Sequence, residues 1–257
     1  MRMETPLNYG NWVRRRVLLV LATCTVAAGL LASLPLGPYR VLPALLFIAC
    51  LLSFLFPLYA YVMFSQGGGK FQEKIFDIII QNLGAIGKGR LLDIGSGNGV
   101  LAVKAAQRNR EADIIGVDYW GSDWEYSKRV CEENAEIASV SDRLHFHKGD
   151  AAALEFPSGS FDGAISNLTF HEVRSVANKR AVLQEALRVV KAGGVFAFVD
   201  YFYEPKYYGE PAALDEFLKS LGLAQFEYRP LHAMIPVPFL LRHPKILGKV
   251  GMINGRK

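Results

Sequence analysis

Three aspartates stand where apolar runs give way to turns: Asp93, Asp118 and Asp150. Asp93 precedes Gly95-Ser96-Gly97-Asn98-Gly99. Glycines at a strand-to-helix turn let backbone approach a ligand without Cβ interference. The N–H groups that open the following helix then point into the cleft. The spacing is G-x-G-x-G, and Val100 occupies the place where a dinucleotide fingerprint has its last glycine. A carboxylate just before the loop would repel a pyrophosphate and favours a ligand carrying positive charge. Asp118 lies 25 residues after Asp93, the length of one helix and one strand. An acid there can accept both hydroxyls of a ribose. Further on, the stretch SNLTFHEV supplies Asn167, Thr169, His171 and Glu172. His171 titrates near neutrality and can take a proton from a hydroxyl or an acidic carbon. Glu172 can orient it or act alone. The plain alternatives are a helix cap or backbone contact for His171, and turns or caps for the aspartates.

The elements that must position these groups alternate between strand and helix. Leu91, Leu92 and Ile94 make a strand that runs into the glycines, and a helix pattern follows from Val100 to Ala106. Strands are expected at 112–118, 144–148, 161–167 and 195–199. An amphipathic helix is expected over 182–191, with Ala192-Gly193-Gly194 turning into the last of these strands. Such alternation predicts a doubly wound, mostly parallel sheet with ligands at the C-terminal strand ends. Helices are also expected at 71–83 and 210–221, and two final strands at 224–230 and 248–254.

These motifs, in this order, resemble the class I S-adenosylmethionine-dependent methyltransferase superfamily, in particular its small-molecule and lipid-type branch. The resemblance covers roughly residues 71–200 and rests on LLDIGSGNG, on Asp118, on Gly149-Asp150-Ala151 and on the strand FDGAISN. A ligand with an ammonium and a sulfonium agrees with the charge of Asp93. The resemblance implies a Rossmann-like α/β sheet of seven strands, the last antiparallel. It implies that Asp93, Gly95, Ser96, Gly97, Asn98, Gly99, Asp118, Tyr119, Asp150, Ala151 and Asn167 bind S-adenosylmethionine. In it Asp150 meets the adenine amino group and the next N–H the ring, while the end of the 161–167 strand faces the transferred methyl. Asn167, His171 and Glu172 are then the catalytic candidates. No metal is expected. Tyr201, Tyr203, Tyr207 and Tyr208 either wall an aromatic acceptor pocket or pack.

The first seventy residues are of another kind. Residues 17–34 and 41–64 are uncharged and apolar, and the turn PLGPYR separates them. A spanning helix needs roughly 20 such residues, so the pair predicts a transmembrane α-helical hairpin. Arg14, Arg15 and Arg16 precede it, Lys70 and Lys74 follow it, and the turn holds only Arg40. Both ends, and the catalytic domain, should therefore face the cytoplasm, making this a multi-pass membrane protein. A cleaved signal peptide is the rival reading of the first run, and the second run counts against it. The expected organisation is a cytoplasmic segment (1–16), the hairpin (17–64), a linker with a leading helix (65–89) and the methyltransferase domain (90–257). Gly67-Gly68-Gly69 reads as a flexible joint.

Charge narrows the acceptor. The net charge is +5, yet residues 71–228 hold 17 basic and 23 acidic side chains. The positive excess lies in the terminal segments, where an anionic membrane surface is its counterpart. Residues 231–247 mix apolar and basic residues, and either rest on a bilayer or pack the last strands. The fourth-strand stretch Ser166-Asn167-Leu168-Thr169 lacks the Pro-Pro of nucleic-acid and amine enzymes of the superfamily, so no nucleic-acid partner is expected. The expected acceptor is a small molecule, a membrane lipid or a prenyl quinone-type compound. Two alternatives stay open: a non-catalytic S-adenosylmethionine-binding sensor or assembly factor, and a methyltransferase acting on a soluble acceptor or nucleic acid. Cys24, Cys50 and Cys131 have no disulfide or metal spacing.

Overall fold

The computed structural model of the protein describes residues 6–122 and 125–257. The chain divides into two compact units. One is Gly10–Glu73; the other joins residues 6–9 to Lys74–Lys257.

In the first unit α1 (Arg15–Ser33) and α2 (Val41–Phe64) are linked by a single 3-10 turn, Gly37–Arg40. Small residues set their spacing. Gly29 lies so near the Phe47 ring that an added Cβ would meet it at 3.2 Å, and Thr25, Ala28 and Ala60 are buried. Both helices are long and apolar enough to cross a membrane. Their apolar side chains face outward: Leu19, Leu30, Leu42 and Leu52 are each more than 60% exposed.

The second unit is a seven-stranded sheet in the order β3-β2-β1-β4-β5-β7-β6. β1 (Arg90–Ile94), β2 (Asp113–Asp118), β3 (Leu144–Lys148), β4 (Phe161–Asn167) and β5 (Val190–Asp200) run parallel. β7 (Gly251–Arg256) lies antiparallel between β5 and β6 (Gln225–Pro230). Central parallel strands are covered on both faces and so read as continuous apolar runs. Leu91, Leu92, Ile94, Ala164, Ile165 and the run Phe196–Val199 are all wholly buried. The edge strand β6 instead alternates exposed and half-buried residues.

The helices of this unit are α3 (Phe71–Leu83), α4 (Val100–Arg108), α5 (Lys128–Ile137), α6 (Lys179–Arg188), α7 (Pro205–Tyr208) and α8 (Pro211–Ser220). α6 starts and ends three residues earlier than its apolar pattern predicts. Asn178 caps its start by accepting from the Arg180 N–H, and Val190 already pairs with Phe161 as the first residue of β5. Ala192-Gly193-Gly194 is consequently not a turn before the strand but an irregularity within it, where the β4–β5 register shifts. β7 runs two residues beyond its expected end. Residues 231–247 form short helical turns, with Leu231, Val237, Leu241 and Leu247 buried. That segment packs against its own unit, although Phe239 stays 85% exposed.

One glycine of the loop between β1 and α4 is fixed by packing as well as by conformation. Gly99 has φ 77°, and a Cβ there would lie 2.8 Å from Phe146 Cζ and 3.0 Å from Cys131 Cβ. Left-handed backbone costs a non-glycine residue roughly 1–2 kcal/mol, and overpacking adds about 1–3 kcal/mol. Gly99→Ala is expected to destabilise this unit by about 2–5 kcal/mol, read as a lowered melting temperature by circular dichroism. An unchanged melt would mean that Phe146 gives way freely.

Candidate functional site

The order β3-β2-β1-β4-β5 reverses direction between β1 and β4, which opens a crevice at the C-terminal strand ends. Polar residues gather along this edge. Asp93 sits in β1, Asp118 ends β2, Asp150 follows β3, Asn167 ends β4, and Asp200 ends β5.

The glycine loop is stitched to its neighbours through backbone. Gly95 N–H donates to the Val117 carbonyl at 2.7 Å, and Ser96 Oγ donates to the Asp93 carbonyl at 3.2 Å. Gly95 has φ 79° and lies hard against Thr169, whose Oγ1 an added Cβ would meet at 1.9 Å. The chain after β4 therefore closes directly on the loop. Gly97 N–H donates to Asp118 Oδ2 at 2.8 Å. The Gly97 carbonyl accepts from Trp120 Nε1 at 2.9 Å and from Cys131 Sγ at 3.1 Å.

Asp93 is the electrostatic anomaly. Its side chain is wholly buried, and neither carboxylate oxygen has a hydrogen-bond partner among the described residues. Burial raises its pKa to about 7, only partly offset by the Ser96 hydroxyl, and the Asp118 charge raises it further. At 1.36 kcal/mol per pKa unit, keeping it ionised costs the folded state roughly 4 kcal/mol. A cation placed beside it would remove that cost.

Asp118 is also raised by burial, against N–H bonds from Trp120 and Gly97 that favour its charged form. Tyr119 is exposed, with Lys148 Nζ 5.3 Å from its ring centre. Asp150 Oδ1 accepts from Ala152 N–H at 2.8 Å, which orders the turn after β3, and Ala151 is buried. Asn167 is half-buried and its Oδ1 has no partner among the described residues.

His171 lies in a single 3-10 turn, Phe170–Glu172. Its Nδ1 is 2.7 Å from Asp200 Oδ1, and its Nε2 is 3.5 Å from Glu172 Oε1. Asp200 is fully buried and also accepts from the backbone N–H groups of His171 (3.3 Å) and Tyr201 (2.6 Å). The His171 ring packs edge-on to Tyr201, with centroids 4.7 Å apart, and tilted against Tyr207 at 5.6 Å. Burial opposes charge on His171, but the Asp200 carboxylate, aided by Glu172, outweighs it and holds the imidazole up to about 9.

Asp200 is absent from the residues picked out in the sequence. Its signal was nevertheless present, since it ends an apolar strand just as Asp118 does. Of the tyrosines, Tyr201 and Tyr207 flank His171, Tyr208 is buried, and Tyr203 stacks on Tyr228 at 4.6 Å. Tyr203 and Tyr208 thus pack, as the plainer reading of them held.

Compared with known proteins, residues 92–198 match the family described as a methyltransferase domain. The ribosomal RNA large subunit methyltransferase G of Magnetococcus marinus is 32% identical over 120 residues, covering 46% of this chain and 31% of that protein. The ubiquinone/menaquinone biosynthesis C-methyltransferase of Dinoroseobacter shibae is 31% identical over 116 residues, covering 45% and 44% respectively. This chain thus spans less than half the length of either relative. Among solved structures, geranyl diphosphate methyltransferase in complex with GPP and sinefungin superposes with a TM-score of 0.53 at 15% identity, over 72% of this chain and 77% of that one. That likeness is one of fold.

The raised His171 pKa ties stability to pH. The unfolded histidine titrates near 6.5, so this pair's contribution is fully present below that pH and is lost as pH rises through about 9. The melting temperature of the wild type is expected to fall between pH 7 and 10 relative to Asp200→Asn, which lacks the pairing charge. Parallel melting curves for the two proteins would refute the coupling.

Proposed function

We propose that residues 92–198, which match the family described as a methyltransferase domain, form a class I S-adenosylmethionine-dependent methyltransferase, and that the whole chain is a membrane-anchored enzyme methylating a small acceptor held at the bilayer, a prenyl quinone-type compound or another lipid. The observation that carries the membrane half of this reading is the exposure of α1 and α2. Only 11% and 6% of their apolar windows are buried within the chain, which is not how core helices of a soluble protein behave. The quinone relative supports the acceptor class.

The residues fit the cofactor. S-adenosylmethionine supplies an electrophilic methyl on a sulfonium and carries an ammonium group. Asp93, buried and without a hydrogen-bond partner among the described residues, complements positive charge, while Gly95, Gly97 and Gly99 let backbone approach a ligand without Cβ interference. In this reading Asp118 accepts the ribose hydroxyls, Asp150 and Ala151 meet the adenine, and Asn167 lines the methyl end. Methyl transfer is an in-line displacement, so holding the acceptor in line and dry is the protein's main task.

His171 takes the proton that a hydroxyl or acidic carbon loses as its bond to the methyl forms. Asp200 fixes the ring through Nδ1 and stabilises the imidazolium, leaving Nε2 toward Glu172 as the accepting side. Tyr201 and Tyr207 wall the same spot, where a flat aromatic acceptor finds stacking surface. Because the paired acids hold the proton on His171 at neutral pH, activity must climb with pH.

A second reading has one observation in its favour, the ribosomal RNA relative. The net −6 of residues 71–228, from 17 basic and 23 acidic side chains, would repel a nucleic-acid backbone and speaks against it.

The deciding test incubates the protein in nanodiscs with methyl-labelled S-adenosylmethionine and a total lipid extract, with total RNA in a parallel tube and Asp93→Ala as the control. Label is expected in one species of the organic phase, lost in the variant. Label confined to RNA, or to water-soluble products, would overturn the lipid reading. kcat/KM is expected to rise with pH toward a plateau above about 9. Asp200→Asn should move that limb down toward the ordinary histidine range, and an unmoved limb would remove His171 from the role of base. Cofactor affinity measured by calorimetry is expected to rise from pH 6 to 8 as Asp93 ionises near 7. In Asp93→Asn it should be weaker and flat with pH, and a pH-independent wild type would sink the assignment of Asp93.

A further inference from the structure

The compact unit that contains the methyltransferase sheet is discontinuous in sequence, because the residues leading to Tyr9 belong to it while Gly10–Glu73 do not. The segment Pro6–Tyr9 has no regular secondary structure, yet specific bonds hold it at the glycine loop. Asn8 N–H donates to Asn134 Oδ1 at 2.8 Å. Asn134 Nδ2 donates both to the Asn8 carbonyl at 3.0 Å and to the Asn98 carbonyl at 2.8 Å. Asn98 Nδ2 reaches Asn8 Oδ1 at 3.4 Å. Beside this knot, Tyr9 stacks on Phe76 with centroids 6.0 Å apart.

Asn134 is wholly buried in α5 and Asn98 is 5% exposed in the loop. A buried amide stripped of its partner is costly, and Asn134 finds its partners in Asn8 and Asn98. The carbonyl that Asn134 grips belongs to Asn98, the residue between Gly97 and Gly99. The backbone that would face the cofactor is therefore clamped from behind by an amide whose other half is committed to Asn8. Asn98 Oδ1 is itself buried without a partner among the described residues. That leaves one more acceptor at the loop for a ligand that donates hydrogen bonds.

We propose that Pro6–Tyr9 is a strap of the cofactor site, in which Asn8, acting through Asn134, is a positioning residue for the Asn98–Gly99 backbone. The grip on S-adenosylmethionine then depends on chain lying N-terminal to the hairpin as well as on the sheet. This deepens the cofactor assignment above and rests on it. Its consequence is that the two sequence stretches flanking α1 and α2 build one site.

The test uses the full chain in nanodiscs and S-adenosylmethionine itself. Asn8→Pro deletes the N–H that Asn134 accepts, whereas Asn8→Ala keeps both backbone groups that bond Asn134 and removes the side chain, with its 3.4 Å contact to Asn98. Asn8→Pro is expected to raise the cofactor Kd and KM about tenfold with kcat within twofold of wild type, and Asn8→Ala to change Kd less than threefold. In the wild type, saturating cofactor should slow hydrogen exchange at the Asn8 amide, since coupling between sites is reciprocal. A Kd for Asn8→Pro within twofold of wild type, or Asn8 exchange that cofactor leaves unchanged, would overturn the strap. A fall in kcat with KM unchanged would overturn it too, by showing an effect not centred on the cofactor. A wild type that binds no S-adenosylmethionine would instead overturn the cofactor assignment on which the strap rests, and the two failures are thereby told apart.

Discussion

The parallel pairing of β1 with both β2 and β4 is the constraint on which the rest depends. Parallel neighbours cannot be joined by a tight turn, so each connection crosses a face of the sheet, usually as a helix. All five parallel strands therefore end on the same edge. Backbone at those ends leaves the ladder and is free to meet a ligand. Short polar residues gather there because the strand interiors, covered on both faces, admit almost none. Asp93 is the exception, a carboxylate inside the covered region.

That exception organises the electrostatics of the edge. An ionised group with no partner is unstable in the fold alone, and the structure tolerates it at the cost of a pKa near neutrality. The second buried acid, Asp200, is handled differently. It holds a histidine ring and two backbone N–H groups, and its charge is balanced within the protein. One carboxylate is left for a ligand's charge and the other is spent on orienting His171. The contrast is between an acid without a partner among the described residues, in β1, and an acid that fixes a histidine ring, at the end of β5.

The hairpin follows a different physical rule. Its helices bury little of themselves and meet through small residues such as Gly29, so their apolar surface is directed outward. A soluble domain with that much exposed leucine would aggregate. Placed in a bilayer, the same surface would be satisfied, which is the physical basis of the proposed membrane anchoring.

Periodicity and composition alone determined most of the framework. α2, α3, β3 and β4 have the bounds their patterns predict, and α3 and β3 each stop at a glycine, Gly84 and Gly149. The glycine loop was legible for the same reason: no other residue accepts the backbone of Gly95 and Gly99 where Thr169 and Phe146 stand so near. The start of β5 was not legible, since pairing with β4 converts a helix-like Val190-Lys191 into strand. Nor was the partner of His171, which lies 29 residues away in sequence and meets it only because β4 and β5 are neighbours. The asparagine knot at Asn8, Asn98 and Asn134 is the extreme case, three ordinary polar residues spread over 126 positions. Local pattern fixes where a chain turns and which face it buries. Which distant side chains share a buried hydrogen bond is settled by sheet order and packing, and no window of sequence contains that information.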